Sequence, residues 1–209
     1  MLIDCGPDAR MQLLRAGVER LDALLITHEH NDHIIGLDDL RPLIFKQRAP
    51  IVIYAEERVQ ASIRERFAYA FAANPYPGAP RFELRELTDG QVLTFAGLPR
   101  IEALRVMHGS LPILGFRIGD SAYLTDVKSL PPSTLQRLHG LANLITSSLH
   151  ESPHHSHMNL EESITLADAV SAQATYFIHM SHRMGLHAAV SQVLPKGVHL
   201  AYDGLEVNL

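Results

Sequence analysis

A single cysteine, Cys5, stands in a chain of 209 residues, which excludes a disulfide framework and any zinc site built from cysteines alone. No run of 18 apolar residues occurs, and the N-terminus lacks the basic, apolar and small-residue segments of a signal peptide, so neither membrane spanning nor export is expected. The expected location is the cytoplasm. Basic excess is also missing: the net charge is -5, which gives no general attraction for phosphate backbones and argues against a protein that coats nucleic acid. A small phosphorylated substrate is compatible with that charge. What the chain has in excess is histidine, thirteen of them, in a length and a hydrophobic fraction of 46% that suit one domain over residues 1–209.

The pattern along the chain alternates short strands and helices without a low-complexity linker. Leu2-Ile3 ends a strand, Pro7 suits the first turn of a helix, and Gly17 ends that helix. Leu21 to Ile26 is a nearly continuous apolar run, the mark of a strand buried on both faces, and it leads directly into Thr27-His28-Glu29-His30. Helical spacing is expected from Ile34 to Phe45 and from Glu56 to Phe71, with a strand at Ile51–Tyr54 between them. From Phe82 to Leu124 the spacing predicts a run of antiparallel strands. Asn143–Ser147 is a buried strand, Asn159-Leu160-Glu161-Glu162 is a capping box opening a helix through Val170, and Thr175–His179 and His199–Tyr202 are the last strands. The expected class is mixed α and β, with two layers of sheet covered by helices.

The chemistry concentrates where strands end. His28, His30, Asp32 and His33 are four metal-competent side chains within six residues, following a buried strand. Strand alternation puts His28 and His30 on one side, facing one ion. Asp32 and His33, beyond the strand end, can face a second. His108, Asp126 and His179 each follow an apolar strand further along, and ligands from several strand ends converge on one edge of a sheet. Imidazole suits zinc, iron and manganese, and carboxylate oxygens broaden that range.

This set resembles the metallo-β-lactamase superfamily, whose members carry His-x-His-x-Asp-His after a strand, then a His, an Asp and a His at later strand ends. Asp4 corresponds to the superfamily's structural aspartate. The resemblance implies an αββα sandwich of two mixed β-sheets flanked by helices and a site for two divalent metal ions, zinc foremost with manganese or iron as further choices. It implies His28, His30 and His108 on the first ion, Asp32, His33 and His179 on the second, and Asp126 bridging. The C-terminal third looks like the phosphodiesterase branch, in particular the phosphoribosyl cyclic phosphodiesterases and, more distantly, ribonuclease Z. That likeness places His157, with Asp32 and His182, on the catalytic side, and implies hydrolysis of a small cyclic or linear phosphate diester. Leu149-His150-Glu151 is similar to a His-Glu element of ribonuclease Z. His150, His154 and His155 otherwise read as a solvated loop tract, and His139, His187 and His199 as surface or structural residues.

Two departures from the family pattern carry expectations of their own. The two strands and Gly-rich turn that the family places before Leu2-Ile3-Asp4 have no counterpart here, which predicts an exposed sheet edge and self-association into a homo-oligomer. No extended basic arm of the ribonuclease Z kind occurs, so stable nucleic-acid binding is not expected. The rival readings are a thioester, lactone or β-lactam hydrolase on the same scaffold, and a metal-binding protein of little activity.

Overall fold

A computed structural model describes residues 1–208 and has two compact units, Met1–Thr88 and a second that begins at Asp89. Among the described residues no helix is long and apolar enough to cross a membrane.

The first unit is built on a sheet of four strands in the order β1 (Leu2–Ile3), β2 (Ala23–Leu25), β3 (Ile51–Ala55) and β4 (Phe82–Glu86), parallel throughout. Parallel pairing requires a crossover between neighbours. The crossovers are α1 (Ala9–Arg15), the pair α2 (Asn31–Ile34) and α3 (Arg41–Gln47) joined by a 3₁₀ turn at Ile35–Leu40, and α4 (Glu57–Arg66). Because strands adjacent in sequence are adjacent in space, right-handed crossovers put these helices on one face. The core there joins Leu24, Ile51 and Ile53 of the sheet to Ile44 of α3 and to Val59 and Ile63 of α4. Ala23 and Leu25, on the other face of β2, are buried as well, as its continuous apolar run predicts.

In the second unit the sheet has seven strands, ordered β11 (Val198–Leu200), β10 (Ala174–Ile178), β9 (Asn143–Ser147), β8 (Ser121–Leu124), β7 (Leu111–Ile118), β6 (Ile101–His108) and β5 (Val92–Leu93). Strands β5 to β8 form an antiparallel meander, whereas β8 to β11 pair in parallel. The parallel half is connected through α5 (Pro132–Arg137), α6 (Leu160–Val170) and α7 (His187–Ser191). α6 opens on the expected capping box: Asn159 accepts from the Glu162 backbone N–H, and the Glu162 carboxylate accepts from that of Asn159, both at 2.9 Å.

Three expectations change. Phe82–Glu86 does not begin the antiparallel run; it pairs in parallel with β3, because the α4 crossover precedes it, and the antiparallel strands start at Val92. Of the two sheets, the second is mixed and the first is wholly parallel. The helix expected over Ile34–Phe45 is a 3₁₀ turn followed by α3. α5 and α7 were not marked by the sequence pattern.

A close backbone approach positions the turn after β2. Asp4 N–H donates to Leu25 O at 2.9 Å, Cys5 N–H to His33 O at 2.7 Å, and Gly36 N–H to Cys5 O at 2.9 Å, so the segment leaving β1 is laced to the His-rich turn. A Cβ on Gly36 would lie 2.1 Å from Gly6 O, and one on Gly6 would lie 2.4 Å from Asp32 O. Glycine is required at both places by contact with backbone that cannot rotate away. Gly36→Ala is therefore expected to destabilise by about 1–3 kcal/mol, seen as a fall of roughly 5 °C in the thermal midpoint. An unchanged midpoint would show that this contact is not tight.

Candidate metal centre

In a parallel sheet all strands end on the same edge, and that edge is where ligands bind in open α/β sheets. In the first unit Asp4 follows β1 and Thr27 to His33 follow β2, so both segments leave at the carboxyl edge. In the second unit β6 and β8 are each antiparallel to β7, so they run parallel to one another and to β9 and β10. His108 at the end of β6, Asp126 beyond β8 and His179 beyond β10 therefore share one edge of that sheet. The metal-competent side chains thus lie at strand ends, a placement reached in each unit by a different topology.

In the first unit one carboxylate arranges the turn. Asp4 Oδ1 accepts the Thr27 N–H at 2.8 Å, and Oδ2 accepts the Thr27 hydroxyl at 2.8 Å. Oδ2 also lies 2.7 Å from His33 Nδ1, and the Thr27 Oγ1 lies 2.9 Å from His28 Nδ1. An ionised carboxylate can only accept, so His33 Nδ1 carries the hydrogen. The Thr27 hydroxyl gives its one hydrogen to Asp4, so it accepts from His28 Nδ1. Both imidazoles thus hold their lone pair on Nε2. His28 and His33 are buried, whereas His30 and Asp32 are exposed. His28 and His30 offer ligand atoms within 4.8 Å of one another, as do Asp32 and His33, whose Oδ2 and Nε2 are 3.4 Å apart.

The second unit repeats the device. His108 Nδ1 lies 2.8 Å from the Ser156 carbonyl, which can only accept, so this imidazole too presents Nε2. The Thr125 hydroxyl donates to Asp126 Oδ1 at 2.7 Å, and His179 Nε2 lies 3.2 Å from the same oxygen. Asp126 is buried. Asp4, Asp126 and His179 all have positive φ, 55°, 55° and 57°, a conformation that non-glycine residues adopt at a cost of order 1–3 kcal/mol. Three of the five such residues in the described chain are thus at the strand ends that carry metal-competent groups.

His157 joins this second set. Its ring centroid is 4.5 Å from that of His108 and 5.3 Å from that of His179, nearly parallel to the latter, and its Nδ1 lies 4.0 Å from Asp126 Oδ2. Burial pushes the His157 imidazole down to about 4, against the pull of Asp126 and with help from His108, His179 and His154. It is therefore a neutral imidazole at pH 7. His182 is exposed at the start of a 3₁₀ turn (His182–Met184), with no hydrogen bond or ring contact to His157 or His179 among the described residues.

The solvated loop expected over His150 to His155 holds for Glu151, Ser152, Pro153 and His155, which are exposed, and fails at His150. His150 is buried at 4% exposure, its carbonyl takes the Leu160 N–H at 2.9 Å, and its ring sits 6.0 Å from that of His154. His154 in turn lies 5.1 Å from the His157 ring. His139, His187 and His199 are exposed, as read from the sequence. The groups that sequence reasoning missed are Thr27, Thr125 and the Ser156 carbonyl, which orient donors without being donors; only the Thr27 position beside the motif could have signalled one of them.

The donor set fits divalent cations. Imidazole Nε2 atoms with Nδ1–H committed to a carboxylate, hydroxyl or carbonyl are the arrangement found around metal-ligating histidines, and His28, His33 and His108 all show it.

Comparison with known proteins agrees with this reading. The Beta-lactamase superfamily domain matches residues 1–180. The chain is 42% identical over 207 residues to a Porphyromonas gingivalis protein named octanoyltransferase, covering 99% of this chain and 42% of that protein. It is 30% identical over 145 residues to the anti-Pycsar protein Apyc1 of a Paenibacillus species, covering 66% of this chain and 59% of that one, and 32% identical over 111 residues to ribonuclease Z of Natronomonas pharaonis, covering 52% and 35%. The chain thus spans about half the length of the curated relatives it matches. Among solved structures, one described as a new diphosphatase from the PhnP family superposes with a TM-score of 0.90 at 35% identity, covering all of this chain and 79% of that one. The short form of human tRNase Z superposes with a TM-score of 0.72 at 20% identity, covering 97% and 85%, a likeness of fold. On its own strands, its strand-end donors and these matches, the chain belongs to the metallo-β-lactamase superfamily, in the branch that holds the PhnP-family and ribonuclease Z proteins.

Proposed function

We propose that this protein is a dinuclear metal-dependent phosphodiesterase acting on small cyclic or linear phosphate diesters. The observation that carries the reading is the shared commitment of Nδ1 in His28, His33 and His108, which turns three Nε2 lone pairs toward cations. In this reading His28, His30 and His108 hold one ion, Asp32, His33 and His179 the other, and Asp126 contributes to both. Zinc is the first occupant expected, since neutral imidazole and carboxylate suit it, and manganese or iron suit the same donors. When bound, such ions supply Lewis-acid stabilisation of charge on phosphoryl oxygens and make water nucleophilic near neutral pH.

The chain's own groups do the rest. Asp4 holds His28, through Thr27, and His33 in one tautomer, so neither must reorient to bind a cation. His157, neutral and half-buried beside His108 and His179, suits a hydrogen bond to a phosphoryl or leaving oxygen better than full proton donation. The net charge of -5 favours a small diester over a transfer RNA.

Three measurements test this. On one sample of measured metal content, bis(p-nitrophenyl) phosphate should be turned over faster than a thioester or a lactone; preference for either of the latter rejects the phosphodiester reading. His157→Ala should lower kcat by about 10²- to 10³-fold, the cost of losing one hydrogen-bond donor to developing charge, with bound metal unchanged, whereas loss of metal would make His157 a ligand. Asp4→Ala should weaken metal binding by about 10- to 100-fold, read by competition with a chromogenic chelator, and undiminished affinity would deny Asp4 its orienting role.

A further inference from the structure

The first unit carries an aromatic structure that the metal centre does not use. After α4 the chain turns through a 3₁₀ segment (Ala68–Ala70) and a loop that returns at Pro75-Tyr76-Pro77-Gly78, bringing the Tyr69 and Tyr76 rings to a centroid distance of 6.2 Å at an interplanar angle of 25°. Both rings are exposed, at 36% and 47%. Exposed tyrosines on loops are ordinarily loose, but these are held from below. Arg41 forks onto Asp38, with Nε–Oδ1 at 3.0 Å and Nη2–Oδ2 at 2.5 Å, and its guanidinium carbon lies 5.9 Å from one ring centroid and 5.8 Å from the other. The Tyr69 hydroxyl donates to Asp38. A Cβ on Gly78 would stand 2.9 Å from the Tyr76 ring, so that ring rests on backbone. Desolvation and the Asp38 hydrogen bond push the Tyr69 phenol up to about 12, which keeps its hydroxyl a donor to Asp38 and leaves the ring face as its outward chemistry.

The platform hangs from the metal-binding turn. Asp38 lies in the 3₁₀ turn that follows α2, five positions after His33. Arg66, three residues before Tyr69, donates to the side chain of Asn31, between His30 and Asp32, and Arg58 of the same helix donates to Glu29. Both ties are made from α4, where the loop begins; at its return the Gly78 carbonyl accepts from Arg41 Nη1 at 3.4 Å.

We propose that Tyr69 and Tyr76 form a stacking platform for the nucleobase of the substrate, which makes the substrate class a nucleoside phosphate diester; this rests on the phosphodiesterase reading above. A flat ring gains from a tyrosine face whatever its hydrogen-bonding edge, so the platform selects for a base without selecting which base, and a cation beside the rings strengthens such contacts.

The test separates platform from chemistry. First, adenosine, which has no phosphate, is offered to the protein as purified and its contact read by saturation-transfer NMR; Tyr76→Leu should remove the transfer and Tyr69→Phe should keep it. Second, kcat/KM is compared for a nucleoside 2′,3′-cyclic phosphate and for methyl riboside 2,3-cyclic phosphate, which lacks the base. Tyr76→Leu should reduce the former by on the order of 10- to 100-fold more than the latter, mainly through KM, with circular dichroism showing an intact fold. Adenosine contact that depends on Tyr76, without turnover of any diester, would overturn the phosphodiesterase reading and retain the platform. Turnover of both diesters with equal loss in Tyr76→Leu, and no adenosine contact, would overturn the platform alone.

Discussion

The Asp4 carboxylate accepts hydrogen bonds from Thr27 N–H, Thr27 O–H and His33 Nδ1–H, and through Thr27 it reaches His28. A turn rich in imidazole has many rotamers and two tautomers per ring, most of which present the wrong nitrogen or the wrong direction. One ionised group with two acceptor oxygens removes that freedom for two rings together, because a carboxylate offers only lone pairs. The arrangement depends on β1 being beside β2, since Asp4 leaves the sheet next to Thr27 only in that pairing. It also depends on Gly6 and Gly36, whose missing side chains let the β1 segment lie against the turn. Backbone pairing, close approach and donor chemistry form one chain of dependence.

The second unit reaches the same result with other groups. The Ser156 carbonyl does for His108 what Asp4 does for His33, and the Thr125 hydroxyl steadies Asp126. The left-handed backbone at Asp4, Asp126 and His179 is stored where the metal-competent groups are, rather than in the surface turns that glycine serves elsewhere in the chain. Strain of this kind persists only where surrounding structure over-determines it, and strand pairing on one side with hydrogen-bonded loops on the other supplies that here.

Local features survived from sequence to structure where the signal was itself local. Asn143–Ser147 carries its strand in its own apolar run, and Asn159 with Glu162 closes a capping box within four residues. The strand-end histidines were readable because a buried strand announces its own end. The direction of β4 was not, since Phe82–Glu86 has the same alternation in either orientation and only the preceding crossover decides. Asp4 was legible only through the family resemblance, since it acts on Thr27 and His33 across 23 and 29 positions, and Ser156, which acts on His108 across 48, was not marked at all. His150 read as polar loop because composition cannot show that its carbonyl caps the segment entering α6. The pairing of Tyr69 with Tyr76 depends on a loop returning to Arg41, which no periodicity encodes.

Three imidazoles commit their Nδ1 hydrogens and so present Nε2 as the atom that would meet a metal ion. Anomalous diffraction recorded at the absorption edge of the metal present tests this most directly, because it gives ion identity, number and ligating atom together. Two ions per chain are expected, with Nε2 of His28, His33 and His108 in the coordination shells. A single ion, or ligation through Nδ1 with Asp4 displaced from His33, would contradict that.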